Sequence, residues 1–156
     1  MPPRFALMEL GTSLWPALCL IASARLRIAE TLAAGSRTAA EIARERDLDP
    51  SALYRLLRLM CGYDVVREDR DGRFTLTRIG RALIDSPSSP APFLRYLGEP
   101  WQLGPWVRLD ETLRTGKPVF DAMYGQPFFE FVRQHADAAA VFDSAMTSVA
   151  GLHAAA

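Results

Sequence analysis

The stretch REDRDGRFTLTRIGRAL, residues 67–83, constrains this chain more tightly than any other. Asp71-Gly72 is a turn pair, because a type I′ hairpin turn needs positive φ and Asp-Gly tolerates it best. Phe74 and Leu76 alternate with Thr75 and Thr77, the pattern of a half-buried strand, and a helix starts after them. Two helices precede the hairpin. Thr38 caps the first, Glu41 completes a capping box, and Ile42 is its main apolar anchor. Asp49 caps the second, with Pro50 at its first position. Leu53, Leu56, Leu57 and Met60 form its apolar stripe, and Gly62 ends it.

Helix, turn, helix and hairpin in that order predict a winged helix-turn-helix. Many such modules bind DNA, but the charges here argue against it. Lys+Arg and Asp+Glu both number 18, so the net charge is zero. From Ser36 to Leu83, ten arginines (37, 44, 46, 55, 58, 67, 70, 73, 78 and 81) face eight acids, a surplus of only two. The hairpin itself carries Glu68, Asp69 and Asp71, which would repel phosphates. Of the second helix's outward positions Ser51, Ala52, Arg55 and Arg58, only the arginines can pair bidentately with a base or phosphate. The module therefore reads as structural; a DNA-binding regulator is the weaker alternative, and no nucleic-acid partner is expected.

The flanks are apolar. Residues 12–34 predict one long helix, capped by Thr12 or Ser13, with Pro16 in its first turn and Gly35 after its end. Its first half is apolar on most faces, and a helix offers only one stripe to its own domain. Leu14, Trp15, Leu18 and Ile21 are therefore candidates for a subunit interface, which predicts a homodimer built from residues 5–34 and 93–114. By this reading no run reaches the roughly 18–20 apolar residues of a membrane span, and no secretory leader is evident; the expectation is a cytoplasmic chain without a membrane partner. Cys19 and Cys61 lie in apolar helical surroundings and read as reduced core thiols; two thiols alone make no metal site.

Beyond the Pro/Ser-rich DSPSSPAP, the chain turns aromatic. A helix over 101–115, broken near Gly104-Pro105, carries Trp101 and Trp106. Met123 lies beyond it, and Phe142 and Met146 sit four apart on one helix face. Most such residues are core; the rest can line a pocket for a flat apolar ligand. His135 reads as a solvated loop residue, and His153 lies near the terminus.

Taken together, the long helix, the helix-turn-helix, the FTLTRIGRAL hairpin, WQLGPWVRLDETLRTGKPVFDAMYGQPFFEFVRQH and VFDSAM resemble the N-terminal domain of small-molecule O-methyltransferases dependent on S-adenosylmethionine, of the plant phenylpropanoid and bacterial polyketide-tailoring kind. The resemblance covers essentially the whole chain. It implies a mainly α fold with a small β wing, in which the winged helix serves dimerisation. Residues 1–35 would form a dimerisation helix, 36–86 the winged-helix region, and 87–156 the rest of the interface and one wall of a pocket for an aromatic acceptor. By position, Phe142 and Met146 match the family's acceptor-lining aromatic and methionine; Ala138 stands where relatives often have a larger residue, so the pocket would be wider here.

The resemblance also implies a following Rossmann-like domain, with a glycine-rich loop after a strand, an acid for the ribose and a catalytic His. These 156 residues contain no such loop, so no catalytic or cofactor-binding residue is assigned, and none of the family's S-adenosylmethionine binding is expected of this chain alone. The expected function is thus the dimerisation and acceptor-wall part of an O-methyltransferase. A stand-alone ligand-binding or scaffold relative is the alternative.

Overall fold

The computed structural model describes residues 2–154. The helices are α1 (Pro3–Thr12), α2 (Leu14–Arg25), α3 (Ile28–Ala33), α4 (Ala39–Arg46), α5 (Pro50–Gly62), α6 (Arg78–Arg81), α7 (Ala91–Leu97), α8 (Pro100–Val107), α9 (Leu109–Thr115), α10 (Val119–Tyr124), α11 (Phe128–Gln134) and α12 (Ala136–Ala154). The strands are β1 (Arg37–Thr38), β2 (Val66–Glu68) and β3 (Arg73–Leu76). This is a mainly α fold with a small sheet, as the sequence predicts.

The helix-turn-helix forms with the expected caps. Thr38 Oγ1 accepts from the Glu41 amide at 3.2 Å, while the Thr38 amide donates to the Glu41 carboxylate at 2.7 Å, which completes the capping box. Asp49 accepts from the Ala52 amide at 2.7 Å, and Pro50 opens α5. Leu53, Leu57 and Met60 are buried, whereas Leu56 is only partly so. They pack with Ile28, Leu32, Ile42, Phe74 and Leu76 into the first of two cores. Cys19 and Cys61 are free thiols at its edge, and burial pushes the Cys61 thiol up from its ordinary value.

The wing differs from expectation in two ways. First, β1 adds a third strand: the antiparallel order is β1-β3-β2, with Arg37 opposite Phe74 and Val66 opposite Leu76. Second, the turn is not type I′, which needs two consecutive positive φ angles. Only Gly72 has one, at 71°. The chain crosses in four residues, 69–72, and the Asp69 carboxylate organises them by accepting from the amides of Asp71 at 3.0 Å and Arg73 at 2.9 Å. Arg73 reaches from the wing to the Ser36 carbonyl at 2.9 Å and to Glu41 at 3.1 Å. The Thr38 amide, followed by the Arg73 charge, holds the Glu41 carboxyl below its ordinary value of 4.5. Because its folded value is lowered, Glu41 contributes stability above that pH and loses it as the pH falls through the folded value.

The single long helix over 12–34 is overturned. The helical run starts at Pro3 and divides into α1, α2 and α3. Pro16 has no N–H to give the Thr12 carbonyl, and the α1–α2 junction falls at Ser13. Neither Thr12 nor Ser13 caps forward; their hydroxyls donate backward, to Met8 at 2.9 Å and Leu10 at 2.7 Å. The second break is Arg27, which adopts left-handed backbone at φ 54° and pairs with Asp85 at 3.0 Å. The expected break at Gly104-Pro105 is likewise absent. Pro105 sits inside α8, and the helix ends one turn later, at Arg108. The membrane expectation also needs correcting. Pro3–Arg25 spans 23 residues and contains an 18-residue window of mean hydropathy 1.6, long and apolar enough to cross a membrane by length and composition alone.

Three close approaches set the packing. A Cβ at Gly80 would lie 2.0 Å from the Val65 carbonyl oxygen. At Gly98 it would lie 2.4 Å from Ile21 Cγ2, and Arg25 bonds the Gly98 carbonyl at 3.2 Å, which seats α2 on the end of α7. At Gly151 it would lie 2.1 Å from the Pro87 carbonyl oxygen, and Ser148 donates to the Ser89 carbonyl at 2.6 Å, which seats α12 on the 84–90 connection. Gly80→Ala should therefore cost about 2–3 kcal/mol through overpacking. Gly62→Ala, at a site with nothing within 4 Å, should be neutral or stabilise by up to about 1 kcal/mol. Urea titrations of the two variants check this, and equal midpoints would contradict the packing described.

Candidate functional site

The second core is an aromatic cluster gathered from α7, α8, α10, α11 and α12. Tyr96, Trp101, Val132, Ala138 and Ala145 form its buried centre. The FFEF run explains α11's part: Phe128, Phe131 and Val132 fall on one helix face and pack into this core, while Phe129 points outward, 73% exposed. Tyr96 meets Trp101 at 5.5 Å and Phe142 at 5.8 Å between ring centroids, both edge to face. Phe142 also meets Phe128 at 5.7 Å and Phe129 at 6.2 Å. Burial raises the Tyr96 phenol above its ordinary value, so it stays protonated at neutral pH.

The residues singled out from sequence do not all share one place. Trp101 is at the centre of the cluster, and Ala138 is buried beside it. Phe142 is half-buried at its edge, with Met146 one turn further on and 37% exposed. Met123 is half-buried against the α8 backbone, its Cε 3.2 Å from where a Gly104 Cβ would stand, and Trp106 is 63% exposed. Trp106 has no aromatic neighbour among the described residues, because α8 turns its last residues to solvent. Phe129 and Tyr96 went unremarked in the sequence as site residues. The FFEFV run is the available signal, since with Phe128, Phe131 and Val132 on one face Phe129 falls away from it.

Of the interface candidates, Leu14 and Trp15 are exposed, 52% and 63%, and Leu18 is half-buried. Ile21 is corrected: it is 8% exposed and belongs to the subunit's own interior over Gly98. The exposed apolar face extends instead toward the N-terminus, where α1 buries no residue and Phe5, Leu7, Met8 and Leu10 are all exposed. Beside it, Pro16, Ala17, Leu20, Met60, Tyr63, Val65 and Ile79 line an apolar cleft of about 350 Å³. Among the described residues no group of three or more His, Cys, Asp and Glu is placed to hold a metal ion.

Residues 8–86 match the family model of the O-methyltransferase dimerisation domain. The chain belongs to that family. It is 35% identical over 143 residues to 8-amino-8-demethylriboflavin N,N-dimethyltransferase of Streptomyces davaonensis, covering 90% of this chain and 41% of that protein. The fold matches the crystal structure of N,N-8-amino-8-demethyl-D-riboflavin dimethyltransferase from Streptomyces davawensis with a TM-score of 0.85 and 33% identity, over 96% of this chain and 45% of that one. It also matches NcsB1, an O-methyltransferase from neocarzinostatin biosynthesis solved with S-adenosylmethionine and 2-hydroxy-5-methyl naphthoic acid. There the TM-score is 0.72 and the identity 33%, over 83% of this chain and 41% of NcsB1. The chain thus spans about two fifths of the length of these relatives.

The two tryptophans of α8 should separate in mutagenesis. Trp101→Ala should cost about 3–5 kcal/mol, because it leaves a cavity among the rings of Tyr96, Phe128 and Phe131. Trp106→Ala should stay within about 0.5 kcal/mol of the parent. Thermal unfolding by circular dichroism measures both, and a large loss at Trp106 would mean the cluster is placed wrongly.

Proposed function

We propose that this chain forms the dimer interface, and one wall of the acceptor pocket, of an S-adenosylmethionine-dependent methyltransferase acting on a hydroxyl or amino group of an aromatic small molecule. The observation that carries the reading is the pairing of two unlike apolar surfaces. One is the exposed face of α1 and α2; the other is the aromatic edge of Phe129, Phe142 and Met146. Membership of the dimerisation-domain family supports assigning the first surface to a second copy. The same membership favours that assignment over a lipid one for Pro3–Arg25. The amino-flavin and hydroxynaphthoic substrates and ligands in the relatives' names support an aromatic acceptor at the second. Cytoplasmic placement in a secondary-metabolite pathway accords with such relatives.

Methyl transfer is an in-line substitution, so it depends on holding acceptor and methyl donor close and aligned. The part of Phe142 and Met146 in this would be shape: a rigid ring and an adaptable thioether that fix the acceptor's plane. The residues present do not fit the methyl donor. The sheet consists of three short antiparallel strands, and none leads through a glycine-rich loop into a helix, the arrangement that binds the nucleotide portion of such cofactors.

Three outcomes follow. Light scattering at low micromolar concentration should give twice the 17.3 kDa chain mass; a monomer would sink the interface assignment. Trp15→Glu should yield a folded monomer, because Trp15 is 63% exposed in the single subunit and its loss opens no cavity there; an unfolded chain by circular dichroism would place Trp15 in a core instead. Calorimetry of this chain with S-adenosylmethionine should show no micromolar binding, and such binding would show that these residues hold the cofactor after all.

A further inference from the structure

An open cleft of about 360 Å³ lies where α8, α11 and α12 meet, lined by Trp101, Phe131, His135, Ala136, Asp137 and Ala138. It shares no lining residue with the Phe142–Met146 edge, although Trp101 joins the two through Phe128, at 5.9 Å. Trp101 and Phe131 give it an aromatic floor, their rings 5.9 Å apart. Ala136 and Ala138 keep it open, since a longer side chain at either position would fill it. Ala138, singled out in the sequence as unusually small, therefore makes room on the Trp101 side of α12.

The polar rim decides what the cleft takes. The His135 ring stacks on Phe131 with centroids 4.1 Å apart and planes at 22°. Its Nδ1 lies 2.7 Å from the Phe131 carbonyl oxygen. A carbonyl oxygen only accepts, so Nδ1 carries the proton, and in the neutral ring Nε2 is left as an acceptor. Asp137, the other polar side chain on the rim, is acceptor-only when ionised. Two acceptors beside a flat apolar floor call for a flat ligand that donates.

We infer that this cleft is a binding subsite for an aromatic ring bearing a hydroxyl or amino group, with His135 Nε2 or Asp137 accepting the one proton of a hydroxyl, both accepting from an amino group, and Trp101 and Phe131 packing against the ring. This rests on reading the aromatic cluster as an acceptor wall. It adds a second place on that wall and a requirement for a donor. An aromatic carboxylate is disfavoured at this rim, because its charge would face Asp137. Substrates with one donor group at the reacting end and a second at the far end would engage both places.

The test uses the whole chain and the indole N–H resonances of its three tryptophans, with Trp15→Phe and Trp106→Phe identifying Trp101 by elimination. Titration with 2-naphthol should move the Trp101 resonance saturably. 2-Methoxynaphthalene, which keeps the rings and loses the donor, should bind about five- to tenfold more weakly, as one lost hydrogen bond implies. Ala136 is exposed, so Ala136→Leu can fill the cleft from its rim without disturbing the core; it should weaken naphthol binding at least tenfold with an unchanged circular dichroism spectrum. The double variant His135→Phe/Asp137→Ala keeps the stack on Phe131 and removes both acceptors, so it should bring naphthol to the affinity of its ether. Absence of a saturable Trp101 shift, or equal affinities for the two probes in the parent chain, overturns the inference. If Met146→Ala abolishes binding and Ala136→Leu does not, the ligand sits on the Phe142–Met146 edge; that overturns the cleft and leaves the acceptor-wall reading standing.

Discussion

Everything in this subunit turns on α7 being held between two longer helices. On one side Ile21 and Arg25 of α2 close over Gly98, where no Cβ could be accommodated without displacement. On the other, Tyr96 of α7 packs against Phe142 of α12 and Trp101 of α8. A single seven-residue helix thus joins the winged-helix core to the aromatic core. Close-packed interiors relax only partly when volume changes, so a side chain added at position 98 would be felt in both cores.

That arrangement separates the two surfaces that the proposed function needs. The winged helix is internally satisfied. Arg58 pairs with Glu68, Arg67 with Asp64 and Arg73 with Glu41, so several wing-side guanidiniums are turned to local carboxylates. Large apolar side chains remain exposed on α1 and α2, on α11 and α12, and also at Trp106, Val107, Leu109 and Leu113 of α8 and α9. Each is an obligation to be covered: soluble monomers seldom carry contiguous exposed apolar patches beyond a few hundred Å². In the proposed function a second copy covers the first and an aromatic acceptor meets the second.

The sequence was most legible where one local rule acted alone. The capping box at Thr38 and Glu41, the Asp49-Pro50 start and the stripe on α5 needed only neighbours within a turn, and all formed. It was least legible where distant contacts decided. Nothing local marks Arg27 as the place where α2 ends; its left-handed backbone goes with a pairing to Asp85, far along the chain. β1 is two residues long and exists only because β3 lies beside it. Pro105 reads as a breaker, and it does remove the N–H that would bond the Trp101 carbonyl, yet α8 runs through it to Val107 before the chain breaks at Arg108. Ile21 and Trp15 look alike in the sequence, and only the position of Gly98 distinguishes the interior residue from the exposed one. The cleft beside His135 was hidden for the same reason, because its floor and its rim come from three different helices.

The exposed α1 has a consequence for how this protein becomes ordered. α1 buries none of its ten residues in its own subunit and is attached to it only as the continuation of α2, so no packing there holds its outer turns. Its regular structure is therefore on loan from whatever covers it. An arm of that kind fits its partner only as fast as it folds, and the selective pressure on its side chains comes from another molecule's surface. A substitution there would be silent in the chain that bears it and would be read out in the neighbour.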